Sequence, residues 1–134
     1  MSDLPMRPVP VVDDRDTGPF WSAALNGSIA ICVCNQCGEA LHLPKAYCHH
    51  CGSWDINWRQ VAGKGKLYSW TVVRLQVHPA FPVPYAIVVV DLDEAPGVRL
   101  LGYLDGDPHL TAGQPMQAYM ENIADVTLPN WKPN

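Results

Sequence analysis

Four of the five cysteines in this chain form two matched pairs. Cys34 and Cys37 are separated by two residues and followed by a glycine, and Cys48 and Cys51 repeat that pattern after a short spacer. Two residues between the thiolates let both sulfurs converge on one ion, and the glycine allows the left-handed backbone that such a tight turn needs. The spacing therefore predicts a tetrahedral site in which four thiolates bind one metal ion.

Zinc is the metal that this donor set favours, and iron in the same sulfur cage is the alternative. A redox dithiol is less favoured, because one pair would suffice for it and the chain has two. A closed four-thiolate site has no open position for water or substrate, so we expect the metal to hold structure. In small modules of this kind, zinc contributes on the order of 10 kcal/mol to folding.

Other reactive side chains lie near the pairs or in loops. Cys32 precedes the first pair, and we expect a small buried hydrophobe there, with a spare ligand or reactive thiol as the alternative. His49 and His50 lie inside the second pair and are expected to be exposed. His78 has no carboxylate or nucleophile paired with it in the sequence, so we interpret it as a polar loop residue rather than a proton donor.

The segment before the cysteines predicts an extended arm and then one short helix. Prolines and aspartates dominate the arm, which disfavours helix and central strand. A helix is predicted from Pro19 to about Leu25, with Phe20, Trp21 and Leu25 on its apolar side, and Gly27 is placed to end it.

The region after the cysteines predicts strands. The apolar or alternating runs are Lys66–Leu75, Tyr85–Leu92, Val98–Leu104 and Met116–Ala124, and each separator between them contains proline, as does the terminal LPNWKPN. Because Tyr85–Leu92 is almost wholly apolar, we expect it to be buried on both faces. Short strands without room for crossover helices favour an antiparallel barrel or sandwich. The spacer between the cysteine pairs is long enough for two short strands and a turn.

The charged residues are distributed unevenly along the chain. The net charge is -4, with -2 over residues 1–31, +2 over residues 32–66 and -4 over residues 67–134. A field of that sign does not attract a nucleic-acid backbone over long range. The sequence also lacks a long apolar run and an apolar leader, so we expect a soluble protein of the cytoplasm with no membrane partner, where cysteines bind metal rather than form disulfides.

In the order of its motifs, the chain resembles the zinc-ribbon plus OB-fold acyl-CoA-associated proteins catalogued as domain of unknown function thirty-five. The likeness covers roughly residues 17–134 and rests on PFW at 19–21, CNQCG at 34–38, LPKAYCHHCG at 43–52, GKGKLYSWT at 63–71, PYAIVVVDL at 84–92 and GQPM at 113–116. The resemblance implies a mainly β fold: an arm and short helix over residues 1–31, a rubredoxin-like zinc ribbon over 32–62 and a five-stranded OB-fold barrel over 63–134.

The resemblance also implies a function as an accessory subunit that is not catalytic by itself. Such proteins bind or channel acyl-CoA and support a thiolase-like, hydratase or aldolase partner in lipid, steroid or polyketide-type metabolism. The basic residues that could meet the phosphates of CoA are Lys45, Arg59, Lys64 and Lys66, although these also fit an ordinary solvated face.

An alternative function is single-stranded nucleic-acid binding by the OB fold. Aromatic side chains that could stack on bases lie around the joint between ribbon and barrel: Trp54, Trp58, Tyr68 and Trp70. The negative charge of residues 67–134 counts against this alternative.

Overall fold

A computed structural model of the chain describes residues 6–134. Within those residues it contains one helix and seven strands: α1 (Gly18–Leu25), β1 (Ile29–Cys34), β2 (Ile56–Val61), β3 (Lys64–Val73), β4 (Tyr85–Leu92), β5 (Arg99–Asp105), β6 (Pro115–Ile123) and β7 (Val126–Pro133). β1 and β2 form a small antiparallel sheet, and the other five strands form an antiparallel sheet in the order β5-β4-β3-β6-β7. The predicted mainly β fold is confirmed. No helix in the described part of the chain is long and apolar enough to cross a membrane.

The predicted helix is present, and Phe20 of its predicted apolar side packs against the core, whereas Leu25 does not. The Asp14 carboxylate accepts the N–H of Thr17 at the start of α1, and Ala24 is the helix residue buried against the core. Leu25 is 68% exposed, so its assignment to the packed side is wrong. Successive helix residues are rotated by about 100°, and the burial of Ala24 therefore turns Leu25 toward solvent.

The prediction that β4 is buried on both faces is also wrong. Its alternate residues Ala86, Val88 and Val90 are fully buried, whereas Ile87 is 36% exposed on the outer face. A strand of a closed barrel has one face toward the interior and the other toward its exterior. An apolar run thus marks a barrel strand without implying that a second layer covers it.

The terminal LPNWKPN, grouped in the sequence with the proline-containing separators between strands, belongs to a strand. β7 pairs with β6 along its whole length, and Pro129 and Pro133 both belong to it. The N–H of Asn134 bonds to the carbonyl of Pro115 at 3.1 Å, and hydrogen-bonded positions alternate along an antiparallel pair. Both prolines therefore fall at positions of β7 that donate no hydrogen bond to β6. Proline therefore does not break this edge strand.

The two strands of the ribbon flank the cysteine pairs instead of lying between them. β1 ends at the first ligand candidate, and β2 begins after the second pair. Residues 38–47 carry a single isolated bridge, between Val33 and Ala40, so the expectation of two strands in this spacer is wrong. The spacer folds back along β1 as a loop.

The ribbon and the barrel share one hydrophobic core. Ile29, Ile31 and Val61 of the ribbon pack in the same cluster as barrel residues such as Leu67 and Trp131. The core therefore crosses the predicted boundary between residues 62 and 63, and the predicted division into three segments stays a prediction. Residues 6–12 carry no helix or strand, and residues 1–5 of the predicted arm lie outside the described residues.

Candidate metal centre and apolar groove

The two cysteine pairs adopt the same local structure. The N–H of Gly38 bonds to the carbonyl of Cys34 at 2.9 Å, and the N–H of Gly52 bonds to the carbonyl of Cys48 at 2.7 Å. Both glycines have a positive φ, +79° and +80°, which a residue with a side chain rarely adopts. The glycine after each pair is therefore what permits the turn.

The structure brings the four predicted ligands together. The sulfurs of Cys34, Cys37, Cys48 and Cys51 all lie within 4.8 Å of one another. Cys34 and Cys51 sulfurs are 3.6 Å apart, as are those of Cys37 and Cys48, and all the cysteines are free. A tetrahedron of Zn–S bonds of about 2.3 Å puts its sulfurs about 3.8 Å apart, so the donor set fits this ion.

The electrostatics of the cluster favour a bound cation. The backbone N–H of Cys37 donates to the Cys34 sulfur and lowers the pKa of Cys34 to about 7. The N–H of Glu39 acts likewise on Cys37, but burial and the neighbouring thiols outweigh it and raise the pKa of Cys37 to about 12. The pKa of one thiol is thus lowered while that of its neighbour is raised by desolvation and by hydrogen bonds among the thiols. A divalent cation bound by the sulfurs would favour the ionised form of all four.

The fifth cysteine and the nearby histidines lie outside this cluster. Cys32 is 3% exposed, and its sulfur is 3.9 Å from the carbonyl of Lys45. His49 and His50 are exposed, with their rings 4.3 Å apart. His78 accepts the N–H of Ala80 at 3.0 Å and thereby shapes its own loop.

Of the four basic residues singled out for CoA phosphates, the structure places three around one turn and the fourth elsewhere. Lys66 pairs with Asp93 at 3.1 Å, Arg59 lies 3.5 Å from the carbonyl of Glu94, and the carbonyl of Lys64 accepts the N–H of Asp93. These three therefore surround one acidic turn. Lys45 lies apart from them in the loop between the two cysteine pairs, and its side chain makes no ion pair within residues 6–134.

The four aromatic residues of the nucleic-acid alternative are also dispersed. Trp54 lies on the ribbon beside Tyr47, with ring centroids 5.3 Å apart, whereas Arg99 covers Tyr68 at 3.9 Å. Trp58 faces an internal groove. The structure therefore does not gather them into one stacking surface.

That groove, which the sequence did not indicate, is an apolar cavity of about 590 Å³ where the helix, the ribbon and the barrel meet. Phe20 and Trp21 of α1 form one wall, and Cys32 and Trp58 of the ribbon form another. Its residues come from segments far apart in the sequence, so no local motif could have revealed it.

A ribbon loop and two barrel strands complete the groove. Leu43 and Pro44 of the ribbon loop lie on one side, with Leu101 of β5 and Trp131 of β7 on the other. Trp131 is 0% exposed, and its indole N–H has no acceptor in the described part of the chain. Leu101 also lines an adjoining cavity of about 340 Å³ that contains aromatic side chains of β4 and β5.

One side of the groove is the open edge of a strand. In the antiparallel pairing of β4 with β5, the even-numbered residues of β5 form the backbone hydrogen bonds to β4. The 3.1 Å bond from the Gly106 N–H to the Pro84 carbonyl lies in the same register and identifies this set of residues. The odd-numbered residues Arg99, Leu101 and Tyr103 therefore direct their N–H and C=O groups toward β7. No strand pairs with β5 on that side within the described residues.

Side chains close part of this edge. Asn130 of β7 accepts the N–H of Tyr103 at 2.8 Å, and the Tyr119 hydroxyl donates to the Tyr103 carbonyl at 3.0 Å. Asn130 also donates to Glu121 at 2.6 Å, so the seam between β5 and β7 is held by buried polar side chains at this level. At Leu101, two residues before Tyr103 in β5, the strand edge faces the groove.

Comparisons with known proteins agree with this architecture. Residues 21–55 match the family model described as the ChsH2 rubredoxin-like zinc ribbon domain, and residues 58–121 match the ChsH2 C-terminal OB-fold domain. A solved structure described as an Ltp2-ChsH2(DUF35) aldolase has a TM-score of 0.82 and 33% identity, over 95% of this chain and 98% of that chain.

Two curated relatives are longer proteins. A probable enoyl-CoA hydratase alpha subunit of Thermomonospora curvata is 34% identical over 96% of this chain and 40% of that protein. A 3-oxo-4,17-pregnadiene-20-carboxyl-CoA hydratase alpha subunit of Mycobacterium tuberculosis is 33% identical over 98% of this chain and 41% of that protein. The chain thus spans about two fifths of the length of each relative.

Proposed function

This chain belongs to the ChsH2 family, in which a rubredoxin-like zinc ribbon is joined to a C-terminal OB-fold domain, and from that membership we propose that it is a non-catalytic accessory subunit of an acyl-CoA-processing enzyme. Its partner is a thiolase-like, hydratase or aldolase protein, with which it forms a hetero-oligomer. Binding or channelling of acyl-CoA, a role in lipid, steroid or polyketide-type metabolism and a cytoplasmic location belong to the same proposal.

The observation that carries this proposal is the likeness to the Ltp2-ChsH2(DUF35) aldolase, which extends over nearly the whole of both chains. The names of the two curated relatives add support, since both are alpha subunits of CoA-thioester hydratases. Both relatives contain further sequence beyond the part that this chain matches. A separate partner protein would supply the catalytic groups that such a reaction needs.

We assign the cysteine cluster a structural role. Cys34, Cys37, Cys48 and Cys51 would hold one zinc ion, which supplies four metal–sulfur bonds and no open coordination position. The ribbon strands β1 and β2 form only a two-stranded sheet, which is marginal by itself. The metal would therefore fix the ribbon against the barrel, and the ribbon in turn would form one wall of the groove.

The test is affinity purification of the tagged chain from its native host, followed by mass spectrometry and activity assays on CoA thioesters. We expect a thiolase-like, hydratase or aldolase enzyme in stoichiometric amount, and a loss of its activity when this chain is removed. Recovery of single-stranded nucleic acid, with salt-sensitive oligonucleotide binding and no such enzyme, would instead support the alternative function. The tag expressed alone is the control.

A further inference from the structure

A carboxylate on the barrel is held in a fixed orientation beside the seam of β5 and β7. The Asn130 side-chain amide donates to Glu121 at 2.6 Å, and the same Asn130 side chain accepts the N–H of Tyr103 at 2.8 Å. The Glu121 side chain is 26% exposed. A partly buried, oriented carboxylate attracts a cation more strongly than one in open solvent does.

Three aromatic rings stand on the same side of the barrel. The ring centroids of Phe81, Tyr85 and Tyr103 lie 5.3 Å to 5.9 Å from one another. The face of an aromatic ring attracts a cation through its quadrupole. A guanidinium group suits this combination best, because it can stack on a ring while its N–H groups donate to a carboxylate.

Arg7 of the N-terminal arm occupies this site. Its guanidinium carbon is 4.4 Å from the centre of the Tyr103 ring and 5.3 Å from that of the Phe81 ring. One guanidinium nitrogen is 3.2 Å from a Glu121 oxygen, and the Arg7 side chain is 22% exposed. The ion pair and the ring contacts therefore act on the same cation.

The arm has no other polar anchor in the described part of the chain. Residues 6–13 form no backbone hydrogen bond there, and the bond from Arg7 to Glu121 is the hydrogen bond that ties residues 6–12 to the barrel. Pro10 lines the groove and Val12 lines a small cavity beside α1. The position of the arm against the groove thus depends on the group that fills the cation site.

We propose that Glu121 and the three rings form an exchangeable guanidinium site: Arg7 fills it in the free chain, and an arginine side chain presented by another protein takes its place and releases the arm from the groove. The resident group shows which chemistry the site selects. The cavity of about 340 Å³ is lined by the same three rings, which gives an incoming side chain access to them. This inference does not depend on the proposed function.

The cation site is tested by NMR titration of the zinc-loaded full chain with ethylguanidinium, followed through the ring signals of Phe81 and Tyr103. Arg7→Ala empties the site, so we expect saturable binding to this variant. Binding to the unaltered chain should be about tenfold weaker, because the tethered Arg7 competes at a high effective concentration. Ethylurea, which has a similar shape and no charge, should not bind. The matched variant is Arg15→Ala, which changes an arm arginine that is 83% exposed and should behave as the unaltered chain.

Release of the arm is tested by heteronuclear NOE measurements on the amides of Val9 and Val11. These amides should be ordered in the unaltered chain and mobile on the nanosecond timescale in Arg7→Ala. Saturating ethylguanidinium should mobilise them in the unaltered chain. Glu121→Gln removes the charge that holds Arg7 and should have the same effect. If that variant fails to fold, Phe81→Leu removes one ring from a loop and serves as the second test.

Two results would overturn the inference. One is an Arg7→Ala chain that binds ethylguanidinium no better than ethylurea, since the site would then not select a cation. The other is an arm that stays ordered in Arg7→Ala, or in the unaltered chain at saturating ethylguanidinium, since apolar contacts alone would then hold it. The affinity purification described above uses neither probe nor variant, so the proposed function stands or falls separately.

Discussion

Adding one methyl group at Gly102 should open the seam between β5 and β7. A Cβ at this position would lie 2.8 Å from Trp131 Cδ1 and 3.0 Å from the Trp131 backbone N. Trp131 is 0% exposed and lines the groove, so it has little free space into which to move. Gly102→Ala therefore forces the edge strands of the sheet apart or pushes Trp131 out of the core.

The expected cost follows from two opposing contributions. Overpacking of a dense core typically costs about 1–3 kcal/mol. The change from glycine to alanine also restricts the unfolded chain, which stabilises by about 0.4–1 kcal/mol where the backbone allows alanine. Gly102 does not have a positive φ, so that gain applies. From the middle of each range, we expect a net loss of about 1.3 kcal/mol in the free energy of unfolding.

The matched control is the same chemical change at Gly18. A Cβ there meets its nearest atom at 3.8 Å, an ordinary van der Waals contact, and the residue begins α1. Gly18→Ala should therefore be neutral or stabilise by up to about 1 kcal/mol. The two variants should change stability in opposite directions.

The assay is urea unfolding of the zinc-saturated chain, followed by tryptophan fluorescence and circular dichroism. Saturating zinc keeps the ribbon folded, and coincident transitions show whether one free energy describes the process. The midpoint should shift with little change in the m-value. A Gly102→Ala chain as stable as the unaltered one would refute the close contact of β5 with Trp131.

Two further predictions concern the metal cluster and the partly buried Tyr119. Cys48→Ser should abolish the binding of one zinc per chain, measured by metal analysis, and make the ribbon sensitive to protease. The control variant Cys32→Ala should keep its zinc. Loss of zinc in both variants would contradict the assignment of four ligands. Burial and the charge of Glu121 raise the pKa of Tyr119 from 10.0 to about 12, so its contribution to stability is complete below pH 10 and is lost as pH rises toward 12. Tyr119→Phe should be less stable at pH 8 but lose less stability between pH 10 and 12; parallel declines of the urea midpoint would contradict this.

Sequence reasoning located the features whose signal is local. The cysteine spacing predicted which four sulfurs meet, because two-residue gaps and a following glycine constrain the turn directly. The strand bounds were within two residues for β3 to β6, since the alternation of apolar residues and the prolines between runs are read along one segment.

The errors arose where the outcome depends on a neighbour. Whether Pro129 breaks a strand depends on whether its position faces the partner strand, and a sequence does not show that register. Leu25 and Ile87 lie on the outer side of the fold, although their residue type suits burial. The groove depends most on neighbouring elements, since residues of α1, β1, β2, β5 and β7 all line it.

The segment that follows the matched OB-fold region makes the barrel complete. That match ends at residue 121, before β7, yet Trp131 of β7 lies at the centre of the shared core. The Asn130 side chain forms hydrogen bonds to both β5 and β6. The guanidinium of Arg7, in the N-terminal arm, lies 3.2 Å from Glu121 and 4.4 Å from the centre of the Tyr103 ring. Asn130 and Trp131 also line the groove, so the strand that completes the barrel forms part of the groove wall. The barrel, the N-terminal arm and the groove therefore depend on one another through β7.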